Sequence, residues 1–275
     1  MAKADGKKLD ATLRVEPGDK PKLAKRSATC KDFFPDRQEA EAGLAKDAAA
    51  IDALQDRLFA EGTRALLVVL QGIDTSGKDG TVRGVFNASG PLGVRVTPFG
   101  RPTDLELSHD YLWRVHQACP PKGMIGIFNR SHYEDVLVVK VRGLAPQEAV
   151  EKRYEQINAF EKHLVENGTT ILKFMLHISK DEQKKRLQDR LDDPTKHWKF
   201  NPGDLEDRKL WPQYEAAYEE ALARCSTQHA PWRIVPADQK WKRNAIIASI
   251  VRATLEDMNP DYPKPDFDPK AITIV

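Results

Sequence analysis

Between residues 72 and 80 the chain reads Gly72-Ile73-Asp74-Thr75-Ser76-Gly77-Lys78-Asp79-Gly80, and these residue types at this spacing can hold phosphate. Gly72 and Gly77 let the backbone curl until successive N–H groups point inward at an anion. Lys78 adds a full positive charge, and a helix starting beside it adds the positive end of its dipole. The order Gly72-x4-Gly77-Lys78 fits the P-loop pattern up to its last position, where Asp79 stands in place of Ser or Thr. Alone, the pattern is common enough to be an ordinary Gly-rich turn. Asp74 and Asp79 sharpen it. A carboxylate in an anion cradle repels phosphate unless a divalent cation lies between them, so the pair implies magnesium, with manganese as its substitute.

Other residues are candidates for the same chemistry. A second apolar run ends in Asn129-Arg130-Ser131-His132-Tyr133-Glu134-Asp135. The planar fork of Arg130 suits phosphate oxygens. Glu134 and Asp135 are expected to reach the metal, although two acids there also simply favour the start of a helix. His132 and Glu134 resemble part of a zinc site, but further ligands at sensible spacing are missing. Arg186 and Arg190, four apart, share a helix face. A solvated, salt-bridged helix would look similar. Their place after the fourth predicted strand, Thr170–Leu176, favours a lid that closes over transferring phosphates. The lysines around them carry no assignment. Arg101, in the rigid turn Pro98–Thr103, is a further anion-binding candidate. Any of Trp113, Trp198, Trp211, Trp232 and Trp241 could stack on a base, and none stands out.

These side chains need a frame. The cradle follows Leu66-Leu67-Val68-Val69-Leu70 and precedes Val82, Val85 and Phe86 at helical spacing, which predicts strand, loop, helix over about 64–89. Further strands are predicted at 94–97, 123–128, 170–176 and 232–236. Between them lie helices at about 35–62, 103–115, 146–167, 179–191, 210–222 and 241–258. Thr103-x-x-Glu106 and Ser179-x-x-Glu182 mark two helix starts. Strands alternating with helices, without hairpin signals, predict a parallel five-stranded α/β sheet with helices on both faces. Ligands then bind beyond the strands' carboxyl ends, where the cradle lies. Residues 1–35, polar and without period, are expected to wrap the surface as an arm, and residues 259–275 form a tail.

Composition narrows the class. The 275 residues have a formal net charge of +2, so any anion site must come from local clustering. That balance argues against a dedicated nucleic-acid binder. Cys30, Cys119 and Cys225 are far apart and form no metal-ligand spacing, which suits reduced thiols. No apolar stretch approaches the ~20 residues of a membrane span, and the N-terminus lacks a signal-peptide h-region. A cytoplasmic protein is expected, without nucleic-acid or membrane partners.

The sequence resembles the second family of polyphosphate kinases. The resemblance rests on Gly72–Gly80, on Phe128–Val136, and on the stretch from about Lys185 to Trp211, and it covers about Pro35 to Asn259. Asp79-Gly80 after the lysine resembles that family more than common ATPases. The resemblance implies a thymidylate-kinase-like P-loop three-layer sandwich over residues 36–258, with a helical lid at about 180–211. It implies phosphoryl transfer between inorganic polyphosphate and nucleoside mono- and diphosphates, with AMP and ADP foremost and guanine nucleotides as alternatives. It also implies magnesium near Asp74 and Asp135, and a dimer or tetramer. Lys78 and Arg130 would lie on phosphates, and Arg186 and Arg190 on the nucleotide or the transferring group. Thr75, Ser76, Asp79 and Gly80 complete the expected phosphate site. Many members have Asp where Asn129 stands, which shifts the metal expectation to Asp135. The His132–Asp135 version resembles the subgroup acting on both mono- and diphosphates. Two rivals remain: an ATP-dependent nucleotide kinase on the same fold, and a non-catalytic nucleotide-binding protein. The extra acids and the lid argue against the second.

Overall fold

Four apolar runs and a half-exposed edge segment, Val94–Pro98, become the strands of one parallel sheet. The computed structural model describes residues 5–29, 33–34 and 36–274. Met1–Ala4 of the expected arm, the thiol of Cys30 and the expected helix start at Pro35 lie outside them. In chain order the elements are α1 (Gly6–Leu13), α2 (Arg37–Glu61), β1 (Ala65–Gln71), α3 (Lys78–Val85), β2 (Val94–Pro98), α4 (Asp104–Leu107), α5 (Trp113–Ala118) and β3 (Ile125–Asn129). They continue with α6 (Val138–Val141), α7 (Gln147–Glu166), β4 (Thr169–His177), α8 (Lys180–Asp192), α9 (Gly203–Lys209), α10 (Trp211–Cys225), β5 (Trp232–Pro236) and α11 (Lys240–Met258). Short 3-10 turns lie at His132–Asp135 and Pro194–Lys199.

The strand order is β2-β3-β1-β4-β5, with every pairing parallel. All of β1 is buried, and its side chains alternate between two cores. Leu66, Val68 and Leu70 pack with Ile51 and Leu58 of α2 and Ile246 and Ile250 of α11. Leu67 and Val69 pack with Tyr154 and Ile157 of α7 and Tyr218 of α10. A strand buried on both faces must be apolar throughout, which is why β1 reads as a continuous run. The result is a three-layer α/β sandwich of the P-loop kinase type.

The register positions the site. Leu70 pairs with Asn129, and Asn129 pairs with Pro98, so β1, β3 and β2 end level with one another. The chain leaves β1 toward β2 on one side and later reaches β4 on the other. Connections diverge at β1, the place where open α/β sheets take ligands.

Three elements differ from the sequence expectation. The capping box at Thr103 and Glu106 forms, yet α4 ends after one turn and α5 is a separate helix. The helix after the cradle stops at Val85. The N-terminal segment is not a surface arm. Leu9, Leu13, Val15 and Leu23 are buried, and the Val15 N–H donates to the Trp232 carbonyl at 2.8 Å. A single apolar pair, Leu9 and Leu13, anchors α1, which is too little periodicity to read from sequence. Residues 261–274 are exposed. No described helix is long and apolar enough to cross a membrane.

Candidate active site

The cradle is built around β1's carboxyl end. A Cβ on Gly72 would sit 2.8 Å from the Leu176 carbonyl oxygen, so the loop can pass β4 only as glycine. Gly77 has φ +104, a backbone conformation that suits glycine, and it opens α3. Thr75 and Arg130 take the left-handed region too, at φ 66 and 64. For non-glycine residues this costs about 1–3 kcal/mol each, and such strain clusters at working sites. Lys78 lies almost out of solvent and donates from Nζ to the Gly72 carbonyl at 2.7 Å. Burial, and then the neighbouring charge of Arg130, lower its pKa to about 8. The buried hydroxyls of Thr75 and Ser76 have no partner among the described residues.

The turn after β3 supplies the second wall. Its Arg130 N–H donates to the Leu70 carbonyl at 3.0 Å, and its guanidinium pairs with Asp74, with Glu134 at 3.7 Å on the other side. Burial works against the charge of Arg130, but Asp74 and Glu134 outweigh it and raise its pKa. Burial raises the pKa of Glu134, against the pull of Arg130 and Lys78. Asn129 donates from Nδ2 to Asp79 at 2.7 Å, tying the turn to the cradle helix.

A fully buried polar cluster lies beneath this turn. Lys173 donates from Nζ to Glu161 at 2.6 Å, to the Tyr133 hydroxyl at 2.7 Å and to the Cys225 carbonyl at 2.7 Å. Tyr133 donates to Glu161 at 2.9 Å, and His132 Nε2 lies 3.2 Å from the same carboxylate. His132 is thus a core residue and not a zinc ligand. Burial opposes ionisation of Glu161, yet Lys173 and His132 hold its pKa low.

Over the cradle opens a cleft of about 700 Å³. Eight lysines and arginines line it against four aspartates, in a chain whose total charge is only +2. The cations of the whole chain are balanced elsewhere, so this imbalance concentrates positive potential over the cradle. Pro98, Phe99 and Gly100 form the wall on the β2 side. Trp198, 75% exposed on the Pro194–Lys199 turn, projects into the cleft with Lys199 Nζ 4.9 Å from its ring centre. Arg190 donates from Nη1 to Asp204 at 3.1 Å and to the Lys199 carbonyl at 2.9 Å, holding the segment from Lys199 to Asp204 to α8. Burial, and then Asp74, raise the Asp204 pKa to about 6.

Several expected site residues meet here: Asp74, Thr75, Gly77, Lys78, Asp79, Gly80, Arg130 and Arg190 line the cleft, and Gly72 and Ser76 shape it. Three expectations need correction. Asp135 does not face the cradle. Its carboxylate pairs with Arg153 at 3.2 Å and lines a separate cavity of about 660 Å³ beside Arg114 and Tyr111, where burial raises its pKa to about 6. Adjacent residues of a 3-10 turn point about 120° apart, so Glu134 and Asp135 cannot both reach one ion. Arg186 borders the cleft but reaches no ligand position, because all five of its N–H groups are used. Nε donates to Glu182, Nη1 to the Thr75 and Ser76 carbonyls, and Nη2 to the Ala237 and Asp238 carbonyls. It braces the cradle from behind. Arg101 is exposed, and Gly100 lines the wall in its place.

Trp198, Asp204, Lys240 and Arg243 also line the cleft and went unassigned. Trp198 had one readable signal, an aromatic within a polar, basic segment. For magnesium, one or two carboxylates suffice, with water and phosphate oxygens completing the shell. Asp74 and Asp79 flank the unpartnered Thr75 hydroxyl in one cleft, so the donor set fits that ion.

Comparison with known proteins agrees with this geometry. The family model of polyphosphate kinase 2 matches residues 35–263. An AMP/ADP-polyphosphate phosphotransferase of Meiothermus ruber is 53% identical over 242 residues, 88% of this chain and 91% of that protein. An ADP-polyphosphate phosphotransferase of Rhodopseudomonas palustris is 39% identical over 264 residues, 92% of this chain and 91% of the other. The crystal structure of polyphosphate kinase 2 from Arthrobacter aurescens TC1 superposes with a TM-score of 0.93 at 45% identity, covering 98% of this chain and 96% of that one.

Proposed function

The chain belongs to the polyphosphate kinase 2 family, and from that premise we propose that its cleft transfers phosphoryl groups between inorganic polyphosphate and both AMP and ADP. The carrying observation is the cationic excess around the cradle, larger than one nucleotide requires. Phosphoryl transfer needs little covalent chemistry from protein; in-line placement and neutralisation of charge suffice. Backbone N–H groups of the loop and Lys78 bind one phosphate. Arg130, gripped by Asp74 and Glu134, aims its guanidinium at the bridging position. Arg190 and the basic lid segment close over the transferring group and exclude water. A nucleotide phosphate is already ionised, so no strong general base is required. Bound magnesium supplies further neutralisation of the phosphate oxygens, and Asp74 and Asp79 are the residues that would hold it. Trp198, exposed at the cleft, offers a ring for the base. The protein is expected to work in the cytoplasm as a homo-oligomer, which light scattering of the purified protein tests.

The deciding assay combines purified protein, magnesium, polyphosphate and AMP or ADP, with ADP and ATP followed over time. Formation of both products, reversible on adding ATP, is expected. Turnover with ATP as sole donor and polyphosphate inert would instead identify an ATP-dependent nucleotide kinase. Nucleotide binding without turnover would overturn the enzymatic reading.

A further inference from the structure

Four of the eight cations at the cleft have an anionic partner: Arg130 has Asp74, Arg186 has Glu182, Arg190 has Asp204 and Lys196 has Asp193. Arg243 forms no ion pair among the described residues, although it is 99% out of solvent. Its Nη1 donates to the Ser76 carbonyl at 3.1 Å, and Nε and Nη2 donate to the side chain of the next residue, Asn244, at 3.1 and 2.9 Å. Three bonds from five N–H groups leave two donors without a partner among the described residues. Burial, and then the like charge of Arg186, push its pKa below the ordinary arginine value. An arginine remains charged at any working pH, and proteins seldom bury a charge without a counter-ion.

The cradle itself makes room for this guanidinium. A Cβ on Gly77 would lie 1.8 Å from Nη1, and one on Gly80 would lie 3.0 Å from Nη2. Lys240, three residues earlier on α11, is exposed, lines the same cleft and forms no ion pair among the described residues.

Topology separates the two flanks of the loop. α11 follows β5, two strands from β1, while Phe99 and Gly100 follow β2, two strands away on the opposite side. Strand spacing puts each flank roughly 10 Å from the cradle. The β2 flank offers an apolar wall, Pro98–Gly100, with the Phe99 ring mostly buried against Phe128, and no charge from that wall. The β5 flank offers positive charge and no ring among the residues that line the cleft. A nucleotide needs the first kind of wall, and an inorganic polyanion needs only the second.

We infer that Arg243 and Lys240 form a phosphate subsite for the polyphosphate chain on the β5 side of the cradle, leaving the β2 side to the nucleotide. The assignment rests on the polyphosphate reading above. Arg243 anchors the first phosphate beyond the loop, and Lys240 meets the next one outward.

Steady-state kinetics of the full chain with long-chain polyphosphate and ADP tests it, using Lys240→Ala and Arg243→Lys. Each variant should raise the KM for polyphosphate about tenfold, the effect of losing one charge-assisted contact, and leave the KM for ADP within about twofold. Lys240→Ala touches neither core nor loop, so it decides the matter even if Arg243→Lys folds poorly. With tripolyphosphate, too short to reach outward, the Lys240→Ala effect should shrink. A raised KM for ADP with polyphosphate unaffected overturns the inference by giving the subsite to the nucleotide. No change in either KM overturns it as well. A wild-type protein inert toward polyphosphate overturns the proposed function first and the subsite with it, and is told apart because it needs no variant.

Discussion

Lys78 should impose an alkaline limb on catalysis. Its amine is buried, and burial together with Arg130 brings its pKa from the ordinary 10.5 to about 8. The gap corresponds to about 3 kcal/mol of disfavoured charge in the empty cleft. At pH 7 the amine is about nine-tenths protonated, and at pH 9 about one-tenth. Only the protonated amine attracts phosphate. The kcat/KM for polyphosphate reports the free enzyme, so it should be level near pH 7 and fall about tenfold per pH step above 8. Stability of the ligand-free protein should move oppositely. Between pH 8 and 10.5 the unfolded chain holds the Lys78 proton that the folded chain has lost, so this residue's contribution favours folding more as pH rises. Saturating polyphosphate places counter-charge beside the amine and should shift the limb in kcat to higher pH. A Lys78→Arg variant, charged throughout, should retain less activity but lose the limb. A flat kcat/KM between pH 7.5 and 9.5 in the wild type, with Lys78→Arg behaving identically, would refute the reasoning.

Three further outcomes follow from the geometry. Asp135→Asn should leave the magnesium concentration for half-maximal activity within about twofold, because the carboxylate lines a separate cavity; a large rise in that concentration would restore Asp135 as a metal ligand. Lys173→Met should destabilise the fold by about 3–5 kcal/mol by stranding buried Glu161, and Lys173→Met with Glu161→Leu should recover much of that in denaturant melts; equal loss in both would contradict the ion-pair account. Gly77→Ala should abolish turnover and lower stability by about 1–3 kcal/mol, whereas Gly43→Ala, in α2 with open space around it, should stabilise by about 0.5–1 kcal/mol. Calorimetry on the two variants checks the opposite signs.

The sheet was legible because its inner strands, buried on both faces, leave continuous apolar runs, and the cradle because glycine and lysine spacing is local. Arg130 was legible for the same reason: it directly follows a strand that pairs with β1. What failed depended on direction. Glu134 and Asp135 are adjacent in sequence, yet their turn sends one toward Arg130 and the other toward Arg153. Arg186 and Arg190 share a helix, but only the contacts with the cradle and the β5–α11 loop show that Arg186 spends both terminal nitrogens on backbone carbonyls and its Nε on Glu182. Arg243 sits in the first turn of α11, between Lys242 and Asn244, and reaches the cradle across 167 residues of chain. No local pattern carries such a contact. The buried Lys173 likewise reads as an oddity within a strand until its partners from α7 and the β3 turn are placed around it.

Arg186 also sets where the lid can be cut. Its guanidinium joins the first turns of α8, the cradle and the chain after β5 into one block, held by five hydrogen bonds. α8 up to that residue is therefore chassis. The stretch from Asp193, which caps the Pro194–Lys199 turn, to Leu210, before α10, is a replaceable cassette. Exchanging that cassette among relatives while keeping Glu182, Arg186 and Arg208 would transplant the cover of the cleft and retain the Arg208–Gln183 bond that leads to the Asp74 carbonyl. Substrate preference could then be engineered as a modular part.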